Sequence, residues 1–176
     1  MRPVLIARAL IIGLLATVLV PFSTVLVPFS AHASTTNWSF NLVSPNFATA
    51  TSAPSPVKVG DTIRLTGSGS FDTLAVTITG SGSFTHYNTS GEVIAHGTWT
   101  AVTLVGFTPF GGPNPGLQGG VVTITVNQYV GGELRHAGVR MTVTCPINQP
   151  GGYVEGTTLG PFTAKVKGDT LFHKNG

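Results

Sequence analysis

The sequence predicts an all-β protein built as a single antiparallel domain of about eight or nine strands. Apolar and polar residues alternate with a period of two in many short stretches, and no stretch has the i, i+3, i+4, i+7 spacing of an amphipathic helix. Short glycine-containing links separate these stretches. Glycine accounts for 23 of the 176 residues and charged residues for only 9%, a composition that favours strands and turns.

A secretory signal peptide is predicted ahead of this domain, over residues 1–33. Arg2 and Arg8 give the segment a positive start, and an apolar run follows at 9–20. The tripeptide AHA at 31–33 then places small residues at the two positions that a signal peptidase recognises. We therefore expect cleavage after Ala33 and a secreted protein.

A tandem repeat inside this segment keeps a second interpretation open. The heptapeptide TVLVPFS occurs at 17–23 and again at 24–30, which lengthens the uncharged stretch to 9–33. A stretch of this length can span a bilayer of ~30 Å, so the alternative is an uncleaved membrane anchor. The proline in each copy weakens a continuous helix, which favours cleavage.

The expected mature domain, 34–176, has a nearly balanced charge. The leader takes two of the nine Lys and Arg residues, so seven remain against six Asp and Glu. No basic run is left, and nucleic acid is therefore not an expected partner. Cys145 is the only cysteine, which excludes an intrachain disulfide, and its place on the apolar phase of a strand predicts a buried thiol.

Six stretches carry the clearest alternation and are typical of strands with one buried and one solvated face. In chain order they are 38–42, 62–66, 74–79, 122–127, 139–145 and 162–167. The turn signals between apolar stretches are Gly60-Asp61, Ser90-Gly91, Gly131-Gly132 and Gly168-Asp169. Short links of this kind favour a meander, and so an up-and-down β-barrel, over a Greek-key β-sandwich, which stays the alternative.

Two segments interrupt the pattern, and one short sequence is repeated. Residues 44–56 are rich in Pro, Ser, Thr and Ala, which predicts a linker or a long crossing loop. Residues 107–120 contain three prolines and five glycines, which predicts another loop. The sequence TGSGSF occurs at 66–71 and at 79–84. We expect the two copies to form successive arms of hairpins.

The turn at 90–91 determines where two histidines point. A two-residue loop pairs residues whose numbers sum to 181, which turns His86 inward and His96 toward solvent. That register also gathers an apolar set on the inner face, namely Phe84, Val93, Ala95 and Trp99. A three-residue loop would bring the two histidines onto one face, but it would disperse the apolar set. We therefore expect the first register and no metal site.

No motif predicts an enzyme. The serine-hydrolase elbow, the common zinc signatures and the EF-hand loop are all missing from the sequence. Four carboxylates lie beside predicted turns, where a solvated acid is expected: Asp61, Glu92, Glu133 and Asp169. Nothing aims the remaining Asp72 and Glu155 at each other, as a glycosidase requires. The sequence therefore predicts no catalytic residue, no cofactor and no metal ligand.

Four side chains are the candidate ligand contacts: Phe110, Tyr87, Tyr129 and His96. Phe110 lies in the segment 107–120, and the other three fall on the polar phase of their strands. Exposed aromatic rings with Asn, Gln and Thr nearby can stack on sugar rings. The expected partner is an unidentified ligand or cell-surface component, with carbohydrate as the candidate.

The sequence favours a secreted, non-enzymatic β domain that binds a ligand or contributes to the cell surface. The alternative is a small barrel that holds an apolar ligand, or performs a simple reaction, in its interior. A cavity of about 300 Å³ or more inside the sheet would favour the alternative.

The leader generates the first testable prediction. Because the AHA tripeptide ends at Ala33, N-terminal sequencing of the exported protein should begin at Ser34. Recovery of the intact chain from membranes would instead establish the anchor.

Overall fold

A computed structural model describes residues 36–175, so the predicted leader at 1–33 lies outside the described residues. The strands are β1 Asn37–Ala50, β2 Thr62–Asp72, β3 Thr77–Tyr87, β4 Val93–Asn114, β5 Leu117–Val130, β6 Glu133–Cys145, β7 Gly156–Leu159, β8 Phe162–Lys167 and β9 Thr170–Lys174. They form one antiparallel sheet whose hydrogen bonds close into a ring, without the even pairing of a regular barrel. The all-β prediction is confirmed. Between residues 36 and 175 no helix is long and apolar enough to cross a membrane.

The ring follows the order of the chain. Strands β2 to β8 are neighbours in sequence order, which confirms the expected meander. β1 closes the ring because it pairs with β2 along one edge and with β8 along the other. β9 pairs with the first half of β1 and, at one position, with β5. One edge of β1 therefore changes partner from β9 to β8 along its length.

The change of partner occurs at a buried asparagine. The register of β1 shifts between Leu42 and Asn46, and Asn46 is fully buried. Its side-chain nitrogen donates to the Ser44 carbonyl (2.9 Å), and the Thr157 hydroxyl donates to its Oδ1 (3.2 Å). Gly168 packs directly on this side chain with a φ of +144°, a conformation that favours glycine. The amide thus satisfies the polar groups that the irregular backbone would otherwise bury.

Two segments expected to be loops lie largely in strands. Residues 44–50 of the expected loop 44–56 continue β1, and only 51–61 connect β1 to β2. The segment 107–120 forms the tip of the β4–β5 hairpin, which turns at residues 115–116. Cross-strand pairing outweighs the weak strand preference of Pro and Gly there, and register shifts accommodate these residues.

The predicted strand at 74–79 begins too early. β2 ends at Asp72, whose carboxylate accepts hydrogen bonds from the backbone nitrogens of Leu74 (2.7 Å) and Ala75 (2.8 Å). Val76 has a φ of 54°, and β3 starts only at Thr77. A side chain that caps the turn therefore overrides the apolar alternation.

The β3–β4 hairpin confirms the predicted register away from its turn. Residues 81–86 pair with partners whose numbers sum to 181. His86 is buried and His96 is exposed, as expected. The expectation for Val93 is wrong, because a register shift pairs it with Tyr87 and leaves it 56% exposed.

The two TGSGSF copies pair with each other across β2 and β3. Gly67 lies opposite Gly82, and Gly69 lies opposite Gly80. The copies are thus the two arms of one hairpin, as expected. In this pairing each of these glycines lies opposite a glycine of the other copy.

These glycines make room for two large rings. A Cβ atom on Gly82 would overlap the Thr66 carbonyl oxygen and lie 2.6 Å from the indole nitrogen of Trp99. A Cβ atom on Gly69 would lie 2.5 Å from the ring of Phe40. Trp99 is fully buried and its Nε1 donates to the Thr66 carbonyl at 3.0 Å. The rings can lie against the backbone only because no side chain projects there.

Aromatic side chains fill the end of the ring where β9 lies, which we call the aromatic end. The ring of Phe107 is centred 4.8 Å from Trp38, 4.8 Å from Phe71 and 5.5 Å from Phe172. Such pairs add about 0.5–1.5 kcal/mol each beyond the area they bury. The opposite end, formed where β2 begins and β3 ends, is called the pocket end below.

Cys145 ends β6 inside the core. It is 1% exposed, and burial raises the pKa of its thiol. The predicted buried thiol is confirmed.

A Gly-to-Ala change inside a strand ordinarily favours folding, but the glycine contacts predict that it lowers the stability of this domain. Gly82→Ala should destabilise the domain by about 1–3 kcal/mol through overpacking against Trp99 and the Thr66 carbonyl. Ser81→Ala is the matched control, since Ser81 is exposed on the other face of β3 and a surface change costs about 0.5 kcal/mol or less. Urea unfolding of both variants measures the difference, and equal free energies of unfolding would contradict the packing argument.

Candidate functional site

The pocket end of the ring holds a partly open cavity of about 340 Å³. Most of its wall is apolar and comes from the inner face of the sheet: Ile63, Phe84, Val130, Val139, Leu159 and Phe162. The loop 51–61 covers it through Pro54, Ser55, Pro56 and Val57. Three polar side chains also line it, namely His86, Gln128 and His136. The cavity is therefore an apolar space with a few polar groups, the usual composition of a small-molecule site.

A larger depression, of about 420 Å³, lies outside the ring over the paired TGSGSF copies. It is lined mainly by serine, threonine and glycine, for example Ser68, Gly69 and Ser81. Because it is shallow and open, it excludes little water and offers little apolar surface. The cavity at the pocket end is the better candidate site.

The covering loop is fixed to the sheet at both of its ends. At its start, the Thr51 nitrogen donates to the Pro161 carbonyl at 3.1 Å. At its end, the Gly60 nitrogen donates to the Ala50 carbonyl at 3.0 Å, and the Ala50 nitrogen donates to the Asp61 carbonyl at 2.8 Å. The cover is thus held by backbone hydrogen bonds to its neighbours.

A buried histidine–aspartate pair joins this loop to β3. His86 Nε2 lies 3.0 Å from Asp61 Oδ2, and the two side chains are 8% and 1% exposed. The same Oδ2 accepts a hydrogen bond from the Lys58 backbone nitrogen at 2.9 Å. The expectation that Asp61 is a solvated turn residue is therefore wrong. Asp61 is the last residue of the loop. It has the same inward orientation as Ile63 and Leu65, the alternate residues of β2 that follow it.

The Asp61 carboxylate is held in its ionised form. The hydrogen bond from the Lys58 backbone nitrogen is the main cause that lowers its pKa, and it outweighs the opposing effect of burial. An ionised carboxylate only accepts hydrogen bonds, so the facing Nε2 of His86 carries the hydrogen. The other carboxylate oxygen, Oδ1, is buried and has no hydrogen-bond partner among residues 36–175.

The position of His86 follows from the register of the sheet. It lies opposite Ile63 on β2 and opposite Ala95 on β4, on the inner face of β3. Its ring also meets that of Phe162 edge to face, with centroids 5.1 Å apart. Apolar neighbours thus surround the imidazole on several sides, and the ring is part of the cavity wall.

The structure places three of the four predicted ligand contacts on neighbouring strands and leaves the fourth apart. Tyr87, His96 and Tyr129 belong to β3, β4 and β5 near the pocket end, on the outer phase of these strands, and none of them lines the cavity. Phe110 lies near the far end of β4, where its ring centroid is 4.6 Å from that of Tyr153. Binding of carbohydrate by these side chains stays a prediction of the sequence.

Asp61 and the cavity are what sequence reasoning missed. The available signal was the phase of β2, since Asp61 lies two residues before Ile63 and four before Leu65, both of which are buried.

Within residues 36–175, no three His, Cys, Asp or Glu side chains are grouped so that they could hold a metal ion. No family model, curated protein or solved structure matches this chain, so its function has to be argued from the site itself.

The lowered pKa of Asp61 predicts how acid affects stability. The folded-state pKa lies below the ordinary value of 3.8, so the ionised carboxylate stabilises the fold above that value. This contribution is lost as the pH falls through the folded pKa. Asp61→Asn should cost about 1.5–3 kcal/mol at pH 7, the range for hydrogen bonds to charged groups, and should lose less stability than the wild type between pH 5 and about pH 2.

Urea unfolding at several pH values measures this difference. Glu133→Gln is the control, because Glu133 is exposed and its one ion pair among residues 36–175 is with the exposed Arg135, and such pairs contribute about 0–1 kcal/mol. Identical pH dependence in the wild type and Asp61→Asn would contradict the assignment.

Proposed function

We propose that the protein is a secreted binding domain that holds a small, largely apolar molecule in the cavity at the pocket end. The observation that carries this proposal is the largely apolar cavity of about 340 Å³, with the loop 51–61 along one side and polar side chains in its wall. Of the two functions that the sequence leaves open, the cavity favours the barrel with an interior ligand. Export rests on the leader segment 1–33 alone.

The volume and the wall together support a ligand of limited size. The cavity is at the lower end of the range of ~300–1,000 Å³ for small-molecule sites, which suits a molecule of one or two rings. Larger side chains at the pocket end would fill this space and stabilise the domain, as aromatic rings do at the opposite end. His86, Gln128 and His136 offer hydrogen bonds that would orient a ligand with one polar group.

Titration with 1-naphthol, followed by the backbone amide signals of the labelled protein, tests the proposal. We expect saturable shifts centred on Val57, Ala95 and Val130. The expected dissociation constant is about 0.1 mM, from about 0.5 kcal/mol for each of roughly eleven non-hydrogen atoms.

A matched pair of variants makes the test specific. Ala95→Phe places a phenyl ring in the cavity, because Ala95 is part of its wall, and should abolish the saturable shifts. Thr100→Phe adds the same ring on the same strand at an exposed position and should leave them intact. Shifts that do not saturate, or that survive in Ala95→Phe, would refute the proposed site.

A further inference from the structure

We propose that the cavity is also a proton-transfer site, in which His86 takes a proton from the bound molecule and Asp61 positions its ring. This inference rests on the proposed binding function and adds a reaction to it. The reacting group is a C–H bond next to an electron-withdrawing group, such as a carbonyl, in a small apolar substrate.

The first argument is the placement of the two ring nitrogens. Nε2 of His86 is engaged by the Asp61 carboxylate at 3.0 Å, which fixes the hydrogen on that nitrogen. In the neutral ring the second nitrogen, Nδ1, then has a free lone pair. Within the described range the one hydrogen bond of the His86 ring runs through Nε2, and the ring lines the cavity. A substrate in the cavity is therefore the available partner for this lone pair.

The second argument is the unpartnered oxygen of Asp61. A carboxylate that served only to tie the loop to β3 would be expected to have both oxygens hydrogen-bonded, as most buried polar groups do. Here Oδ1 is buried without a partner among the residues described. Its negative charge is only partly compensated while the ring is neutral. Protonation of the ring would supply the missing positive charge, as in sites where a buried aspartate stabilises the imidazolium formed during the reaction.

The third argument is the surroundings of the base. Ile63, Phe84 and Phe162 form apolar wall around it, and the loop 51–61 covers the space. The two side chains are themselves only 8% and 1% exposed, and low exposure to water strengthens the interaction between the carboxylate and the imidazolium. Besides His86, the side chains that bring polar or titratable groups to the cavity wall are His136, Gln128 and Ser55.

The proposed step needs no oxidant, metal or second substrate. His86 Nδ1 takes the proton, and the electron pair of the C–H bond moves toward the neighbouring carbonyl to give an enolate. Return of the proton to a different carbon regenerates the neutral ring and completes an isomerisation. The residue acts as a general base and then as a general acid.

The probe 5-nitrobenzisoxazole tests the base without knowledge of the natural substrate. A base removes its one C–H proton on the isoxazole ring, the electron pair of that bond completes a nitrile, and the N–O bond breaks to leave a coloured phenolate. We expect the protein to exceed an equal concentration of free imidazole by roughly 100-fold, the low end of what a positioned general base contributes. 1-Naphthol should inhibit competitively.

Variants test whether the elimination rate depends on His86 and Asp61. His86→Gln should abolish the acceleration, and Asp61→Asn should lower kcat about tenfold or more with little change in KM, because the amide no longer fixes the ring tautomer. His173→Gln is the control, since His173 lies on β9 away from the cavity. If His86→Gln does not fold, as judged by its circular dichroism, Ala95→Phe provides the test, because it fills the space opposite His86 and should remove the rate.

Three results would overturn the inference. They are a rate no greater than that of free imidazole, a rate retained in folded His86→Gln or in Ala95→Phe, and a rate that depends on His136 instead. If 1-naphthol still binds the wild-type protein and no longer binds Ala95→Phe, the binding function stands and only the proton transfer fails. If 1-naphthol does not bind, the proposed binding function fails first.

Discussion

The packing of the core depends on close contacts between glycine backbone and aromatic rings inside the sheet. The indole of Trp99 lies against Gly67 and Gly82, and the ring of Phe40 lies against Gly69. Trp99 and Phe40 are among the largest side chains that are fully buried, and their rings fit inside the ring of strands because the glycine backbone can approach them closely. The repeated TGSGSF sequence is thus a packing device. It explains why a chain so rich in glycine forms a single core.

The same device divides the interior into two different halves. At the aromatic end, rings from β1, β2, β4 and β9 fill the space between the strands. At the pocket end, β2 and β3 carry larger inward side chains, such as Ile63 and His86, instead of glycine. These side chains do not fill the space, and a cavity remains beside the loop 51–61. The two ends of the ring therefore differ in how completely side chains fill them.

Much of the fold follows from local patterns, and the site does not. Alternation and short glycine links predict the all-β meander, and the burial of His86 follows from keeping Phe84 and Trp99 on one face. The errors fall where a polar side chain overrides the apolar alternation. Asn46 in β1 does so through a long-range bond to Thr157, and Asp72 does so locally because it caps its own turn. Asp61 looked like a solvated turn acid because its partner lies 25 residues away on the next strand. Only the β2–β3 register reveals their proximity.

The Asp61 carboxylate links the covering loop to the chemistry of the cavity. One oxygen accepts hydrogen bonds from the Lys58 backbone within the loop and from the His86 ring on β3. A displacement of the loop would move the carboxylate, so the ring would lose the contact that fixes its hydrogen on Nε2. The loop therefore contributes to the orientation of the histidine, together with the sheet register and the ring of Phe162. The loop 51–61 and the His86 ring are both bound by the Asp61 carboxylate. This double role gives a reason for burying a charge in a small domain whose other acids are mostly exposed.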